Sequence, residues 1–294
     1  MSTKLPPPRI AAVHDLSCFG RCALTVVIPT LSVMGYQVVP LPTALLSTHT
    51  GGFTDLHFRD LTGDMKPITD HFLRLGIGFR AIYTGFLGSA EQIGLVSRLI
   101  EDFENRPDES RSKPLILVDP VMGDEGLLYS TYTDELVDGM RRLSLHADLL
   151  TPNLTEACLL THTPYRNTKE LSPEEGLAFA GQQLAALAQM GIPRIVITGI
   201  HLSNGVLANL GRDADGTEFT VTRPHVGASY PGTGDLFASV LLGELMRGKR
   251  FEEACGSAAD FTAHVMRESL DIPTPVRDGV ALESHLHLLC GKMT

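Results

Sequence analysis

Apolar residues in this chain fall into two spacings. Short, almost continuous apolar runs cover Ile10 to His14, Gln37 to Leu41, Arg80 to Thr84, Pro114 to Val118, Ala147 to Thr151 and Arg194 to Thr198. Runs of that length, closed by glycine, proline or polar residues, predict buried strands. Between them, apolar residues recur at helical spacing over Leu24 to Met34, Asp60 to Gly76, Glu91 to Phe103, Thr133 to Leu145 and Ser172 to Met190. Gly35 stops the first of these helices, and Ser172-Pro-Glu-Glu175 is a helix-start signature. Another helix carries Glu156 in its first turn. Late in the chain, helical spacing returns in the stretch starting at Asp235 and in Phe251 to Leu270 and Val280 to Leu289. Strands alternating with helices predict a parallel sheet covered by helices. Val206 to Leu210 and Glu218 to Thr222 bracket Gly211-Arg-Asp-Ala-Asp-Gly216, a hairpin that adds an antiparallel edge.

The same pattern places the loops. Asp15 to Arg21, Thr43 to Phe58 and Asn105 to Lys113 read as polar connections. No repeat, low-complexity tract or linker interrupts the chain, so residues 1–294 read as one domain, with 1–8 extended or disordered ahead of it. In open α/β sheets ligands bind beyond the carboxyl ends of the strands. Small or polar residues stand at each of those ends: Asp15, Ser47 to Gly52, Gly85, Asp119, Thr151 to Glu156, Thr198 and Gly232 to Asp235. They converge on one cleft.

Ser229-Tyr-Pro-Gly-Thr-Gly-Asp235 runs directly into the apolar Leu236 to Met246. The first amides of a helix lack internal partners and carry partial positive charge, and glycines let a phosphate approach them. An acid beside that anion repels it and makes sense as a base: Asp235 would take the proton from a nucleophile attacking phosphorus. A plain helix-terminal turn is the competing reading, and the convergence of strand ends favours the phosphoryl site. Asp119-Pro-Val-Met-Gly-Asp-Glu-Gly126 sets three acids after one strand. That spacing suits magnesium, which takes one or two carboxylates plus waters and substrate phosphates. For Asn153 and Thr155 a capping role is the simple reading, compatible with a site. Walker A and protein-kinase signatures are absent from the sequence.

Composition narrows the class. Of 294 residues, 43% are hydrophobic and 20% charged, which suits a soluble globular protein. The net charge of −10 argues against nucleic acid as a partner. No apolar run approaches the ~20 residues of a membrane span, and no secretory signal opens the chain. Five scattered cysteines indicate reduced thiols in the cytoplasm. Cys18, Cys22 and His14 find no second ligand pair at zinc spacing.

Ser47-Thr-His-Thr50, Gly85-Phe-Leu-Gly-Ser89, Val118-Asp-Pro-Val-Met-Gly-Asp124, Thr151-Pro-Asn-Leu-Thr-Glu156 and Gly232-Thr-Gly-Asp235 together resemble the ribokinase-like superfamily. Within it, they resemble the pyridoxal/pyridoxamine kinases, over about Arg9 to Leu270. The resemblance implies a three-layer α/β/α fold with a mostly parallel central sheet and an antiparallel edge. It implies ATP-dependent phosphorylation of a hydroxymethyl group on a heteroaromatic ring, in a homodimer. Asp235 would be the base, and Gly232, Thr233 and Gly234 the anion hole. Asp124 and Glu156 would hold magnesium. Asp119, Thr151 and Thr198 would lie near the nucleotide phosphates and a monovalent cation, K+ or Na+. Tyr129 matches a flap tyrosine over ATP and Asn153 an ATP contact. Arg223, Pro224, His225 and Val226 would lie beside the base. Asp15 and Thr50, with Ser47, His49 and Phe86, would face the substrate ring. Asp15 stands where many relatives have serine, and Phe86 where they often have tyrosine, which leaves the vitamer open. The alternatives are the hydroxymethylpyrimidine kinase of thiamin synthesis, a non-catalytic vitamin or nucleotide binder and, more distantly, a sugar kinase.

Overall fold

The computed structural model describes residues 6–105 and 113–291. Most of the 1–8 segment and of the 105–113 connection therefore lies outside the described residues; Pro6 to Pro8 are exposed and without regular structure.

In chain order the elements are β1 (Arg9–Phe19), α1 (Leu24–Val33), β2 (Gln37–Thr48), β3 (Phe58–Asp60), α2 (Thr62–Arg74), β4 (Ala81–Thr84) and α3 (Ala90–Glu104). Next come β5 (Leu115–Val118), β6 (Gly123–Asp124), β7 (Leu127–Leu128), α4 (Asp134–Ser144), β8 (Leu149–Leu150), α5 (Leu154–Leu160) and α6 (Pro173–Gln189). The chain closes with β9 (Arg194–His201), β10 (Val206–Arg212), β11 (Glu218–Pro224), α7 (Thr233–Met246) and α8 (Phe251–Leu270). One sheet of nine strands runs β11-β10-β9-β8-β5-β4-β1-β2-β3. From β9 to β2 its neighbours are parallel; β10 with β11 forms one antiparallel edge and β3 the other.

Strand side chains alternate between two cores, as the two-residue period of a strand requires. Ala11, Val13, Ile82, Ile116, Val118, Leu150 and Ile195 face the core built with α2 to α6. Ile10, Ala12, Tyr83, Leu117, Leu149 and Val196 face the one built with α1, α7 and α8. The result is the three-layer α/β/α architecture. Four helices start on side-chain caps: Ser89, Thr133, and the reciprocal pairs Asn153/Glu156 and Ser172/Glu175. Helix α7 has none; its N-cap is Gly232 in the left-handed conformation, φ 78°.

Four expectations need correction. Asp15 lies within β1, which continues to Phe19 beside β2, so the segment is not a loop. Strand β2 likewise carries Ser47 and Thr48, and pairs with β3 across the expected polar connection. Helix α7 begins two residues before Asp235. Val280 to Leu289 is not a helix: only Leu286–Leu289 forms a 3-10 turn. Val280, Leu282 and Leu289 there are buried anchors for an irregular strap.

Candidate active site

A cleft of about 570 Å³ opens at the carboxyl edge of the parallel strands. Its floor is the start of α7. Thr233, Gly234 and Asp235 precede the first intrahelical bond, from the Leu236 N–H to the Gly232 carbonyl at 3.0 Å, so their amides are available to an anion. The turn has little freedom. A Cβ on Gly232 would stand 2.0 Å from the Arg21 carbonyl oxygen, and one on Gly279 2.8 Å from the same oxygen. The Arg21 amide donates to the Asp278 carbonyl at 3.1 Å. The β1–α1 connection is thus clasped between the α7 turn and the segment that leads into the strap.

Asp235 keeps 15% side-chain exposure, enough to be reached from the cleft and too little for full hydration. Its Oδ2 accepts from the Ala23 amide at 2.8 Å, and its Oδ1 stands 3.9 Å from Nδ1 of His14. Burial pushes its pKa up to about 7, with a smaller upward push from Asp15 and relief from the Ala23 amide. A carboxyl poised near neutral pH is suited to general-base work.

Asp119, at the end of β5, and Glu156, in α5, are both buried and are held well above the usual carboxylate range, first by burial. The neighbouring charge adds to this: Asp235 for Asp119, and Asp119 for Glu156. Glu156 accepts from the amides of Met122 and Asn153 at 3.2 and 2.8 Å. Asp124, in the β6–β7 hairpin, is also raised by burial. Among the described residues no three His, Cys, Asp or Glu form a closed metal cage. Crowded carboxylates lining an open cleft do fit a magnesium ion that would keep waters and nucleotide oxygens. Asp124→Ala and Glu156→Gln, which spares the α5 cap, are each expected to raise the half-saturating magnesium concentration about tenfold, or ~1.4 kcal/mol of binding. Unchanged magnesium titrations in both variants would remove these acids from that role.

Of the other residues singled out in the sequence, Tyr129, Thr151, Asn153, Thr198 and Arg223 to Val226 line this cleft. Asn153 caps α5 and donates Nδ2–H to the Gly123 carbonyl at 2.8 Å, tying the β6–β7 hairpin to the helix. Arg223 pairs with Asp260, and the His225 ring meets the His201 ring edge-on at 4.7 Å.

The ring-side group falls outside the cleft lining. Asp15 is buried and accepts from the Ser17 hydroxyl at 3.0 Å. Ser47 is exposed and accepts from the His57 amide. His49 is buried, donates Nε2–H to the Arg277 carbonyl at 2.6 Å and accepts from the Gly51 amide at 3.1 Å. Thr50 is exposed, and Phe86 packs towards Tyr132. From this loop Gly51 lines the cleft, together with Val276 and Arg277 from the turn just before the strap. Sequence reasoning missed Arg277, the Ala23 amide and His14. Only His14 left a signal, a polar residue at an inward position of an otherwise apolar strand.

An anion turn and a half-buried acid at the carboxyl edge of a doubly covered parallel sheet define the class: the ribokinase-like kinases. The phosphomethylpyrimidine kinase family model matches residues 28–277. A protein of Bacteroides thetaiotaomicron, a candidate phosphomethylpyrimidine kinase crystallised with pyridoxal, is 41% identical over 96% of each chain, with a TM-score of 0.87. The pyridoxal kinase of Lactobacillus plantarum is 30% identical over 96% of each chain, TM-score 0.83. The pyridoxine/pyridoxal/pyridoxamine kinase of Bordetella avium is 28% identical over 92% of this chain and 90% of its own length. The chain spans only 34% of a multifunctional thiamine biosynthesis protein of Corynebacterium glutamicum that it matches at 23% identity. The chain belongs to the phosphomethylpyrimidine kinase family.

Proposed function

We propose that this protein is an ATP-dependent kinase that transfers the γ-phosphoryl group to the 5'-hydroxymethyl of a vitamin B6 vitamer: pyridoxal, pyridoxamine or pyridoxine. The observation that carries the phosphoryl-transfer part is Asp235, poised near neutrality beside the free amides of the α7 turn. The B6 assignment draws its support from the relatives: two are named for pyridoxal phosphorylation, and a third was crystallised with pyridoxal.

Phosphoryl transfer asks a protein mainly for positioning and charge stabilisation. The amides of Thr233, Gly234 and Asp235 receive the charge that develops on the equatorial phosphoryl oxygens. Asp235 orients the acceptor hydroxyl and takes its proton. Asp124 and Glu156 are the residues proposed to hold magnesium, directly or through water, and the ion would offset the charge of the nucleotide phosphates. Asp119 and Thr151 are proposed for a monovalent cation, K+ or Na+. Tyr129, Asn153, Thr198 and the Arg223 to Val226 segment hold the nucleotide. Free thiols at all five cysteines support a cytoplasmic location, and the family resemblance supports a homodimer.

The family model favours hydroxymethylpyrimidine as the second candidate acceptor. Turnover measured with the three vitamers and hydroxymethylpyrimidine side by side tests both readings. Turnover confined to the pyrimidine would overturn the B6 assignment, and failure on all four would overturn the kinase reading.

Asp15 is the proposed selector among vitamers. Burial raises its pKa against smaller relief from the Ser17 hydroxyl, its own amide and His49, and a buried carboxylate of this kind gains from a cationic neighbour. A charge-assisted hydrogen bond contributes ~1.5–3 kcal/mol, roughly tenfold to a hundredfold in kcat/KM. Asp15→Ser is expected to lower kcat/KM for pyridoxamine, which carries an ammonium, more than for pyridoxal. Equal losses would indicate a shared ring contact, and no loss on either would put Asp15 outside the site.

A further inference from the structure

His14 sits on β1 directly behind the base, fully buried. Its ring meets Tyr83 edge-on at 4.3 Å between centroids. A Cβ on Gly85 would lie 2.3 Å from His14 Nδ1, so the imidazole fills the space that Gly85 leaves bare. Within this tight packing, neither ring nitrogen has a hydrogen-bond partner, while the nearby Tyr83 and Ser239 hydroxyls face each other. Ser239 follows Asp235 by one helical turn on α7, so both can face the sheet. Polar groups left without a partner at full burial are costly, because they give up water and gain nothing in return. The Asp235 carboxylate, 3.9 Å from Nδ1, is an acceptor able to relieve one of the two His14 nitrogens.

We propose that His14 is the positioning residue of Asp235: its Nδ1–H holds Oδ1 while the Ala23 amide holds Oδ2, fixing the carboxylate plane once the carboxylate is ionised. This rests on the kinase reading above. The 3.9 Å gap between Nδ1 and Oδ1 closes by a side-chain shift of about 1 Å, to the ordinary N–H···O distance. Only a neutral imidazole can serve without adding a net charge, and burial keeps His14 neutral by lowering its pKa to about 3. The groups around Asp235 are His14 and Asp15 from β1, Cys22 before α1, Tyr83 from β4, Asp119 after β5 and Tyr129 from the flap. His14 is the one among them that can donate an N–H while remaining uncharged.

The test compares His14→Leu, which removes the donor, with His14→Asn, which can place an amide N–H near the Nδ1 position. His14→Leu is expected to lower kcat at pH 7 about tenfold or more, with KM for ATP within about twofold, and to move the acid limb of the pH–rate profile upward. Raising the pH then recovers most of the lost rate. His14→Asn is expected to stay within about threefold of wild type with an unmoved limb. A wild-type profile in His14→Leu, or an equal loss at every pH in both variants, would overturn the proposal. If His14→Leu does not fold, 15N spectra of the imidazole in the wild-type protein decide: the Nδ1–H tautomer is required, and an Nε2–H tautomer would overturn it. Wild-type protein inactive on all four acceptors would instead fault the kinase reading, leaving the tautomer measurement free to judge His14.

Discussion

Asp235→Asn is expected to lower kcat about a hundredfold or more while leaving the affinity for ATP within roughly twofold. The substitution keeps the shape and one oxygen for the Ala23 amide, so the α7 turn and its free amides remain. What disappears is a group able to take the acceptor proton. The pH profile should change with it. In the wild type, where this carboxyl titrates at about 7, kcat rises with pH up to that region and then levels; the Asn variant lacks that limb. Stability moves the opposite way. With its pKa raised from 3.8 to about 7, the folded Asp235 binds more protons than the unfolded one across that window. Its contribution is therefore lost as pH rises through the window, and ionised Asp235 burdens the fold above it. The Asn variant should melt no lower than wild type at pH 8. A variant that keeps a third of wild-type kcat would take Asp235 out of the base role.

Gly232→Ala should lower kcat about a hundredfold through geometry alone. Left-handed backbone costs a non-glycine residue ~1–2 kcal/mol. Here the new Cβ would also lie 2.0 Å from the Arg21 carbonyl oxygen, a backbone atom held by the Arg21 amide bond to Asp278. Either the turn or the β1–α1 connection must move, and the amides lose their aim at the phosphoryl group. Losing one aimed donor typically costs ~10²–10³ in kcat. Both a lower melting temperature and a rate fall of about a hundredfold are expected. Gly234→Ala is the contrast: its Cβ meets nothing within 4 Å and its φ is not positive. It should fold at least as well as wild type while narrowing the space left for the phosphate. A Gly232→Ala enzyme with normal kcat would show that the turn tolerates a displacement that the geometry forbids.

The alternation of apolar runs and helical spacings was enough to read the parallel strands, the flanking helices and the β10–β11 edge, because burial on both faces leaves strong patterns. Parts of the chain with one wet face were harder. Asp15, Ser17 and the exposed Cys18 and Phe19 carry the polar-apolar mixture of a loop, yet they extend β1 because β2 pairs with them. The three residues of β3 are all exposed and so have no apolar signature. Val280, Leu282, Leu286 and Leu289 approximate helical spacing, but they anchor a strap without an amphipathic helix. The cleft's acids and glycines stood out as departures from strand and helix patterns. Backbone contributors such as the Ala23 amide have no signature, since any non-proline residue supplies an N–H.

The clasp of Arg21 between Gly232 and Gly279 has a consequence for biosynthesis. The first strand emerges from the ribosome early and the anion turn late, but neither is locked until the segment around Asp278 has been made and has folded back. A nascent chain ending before the strap would carry Asp235 and its neighbouring glycines without the backbone that holds them in register. Phosphoryl-transfer competence is therefore expected only after the Asp278–Gly279 segment has left the ribosome and folded back onto Arg21.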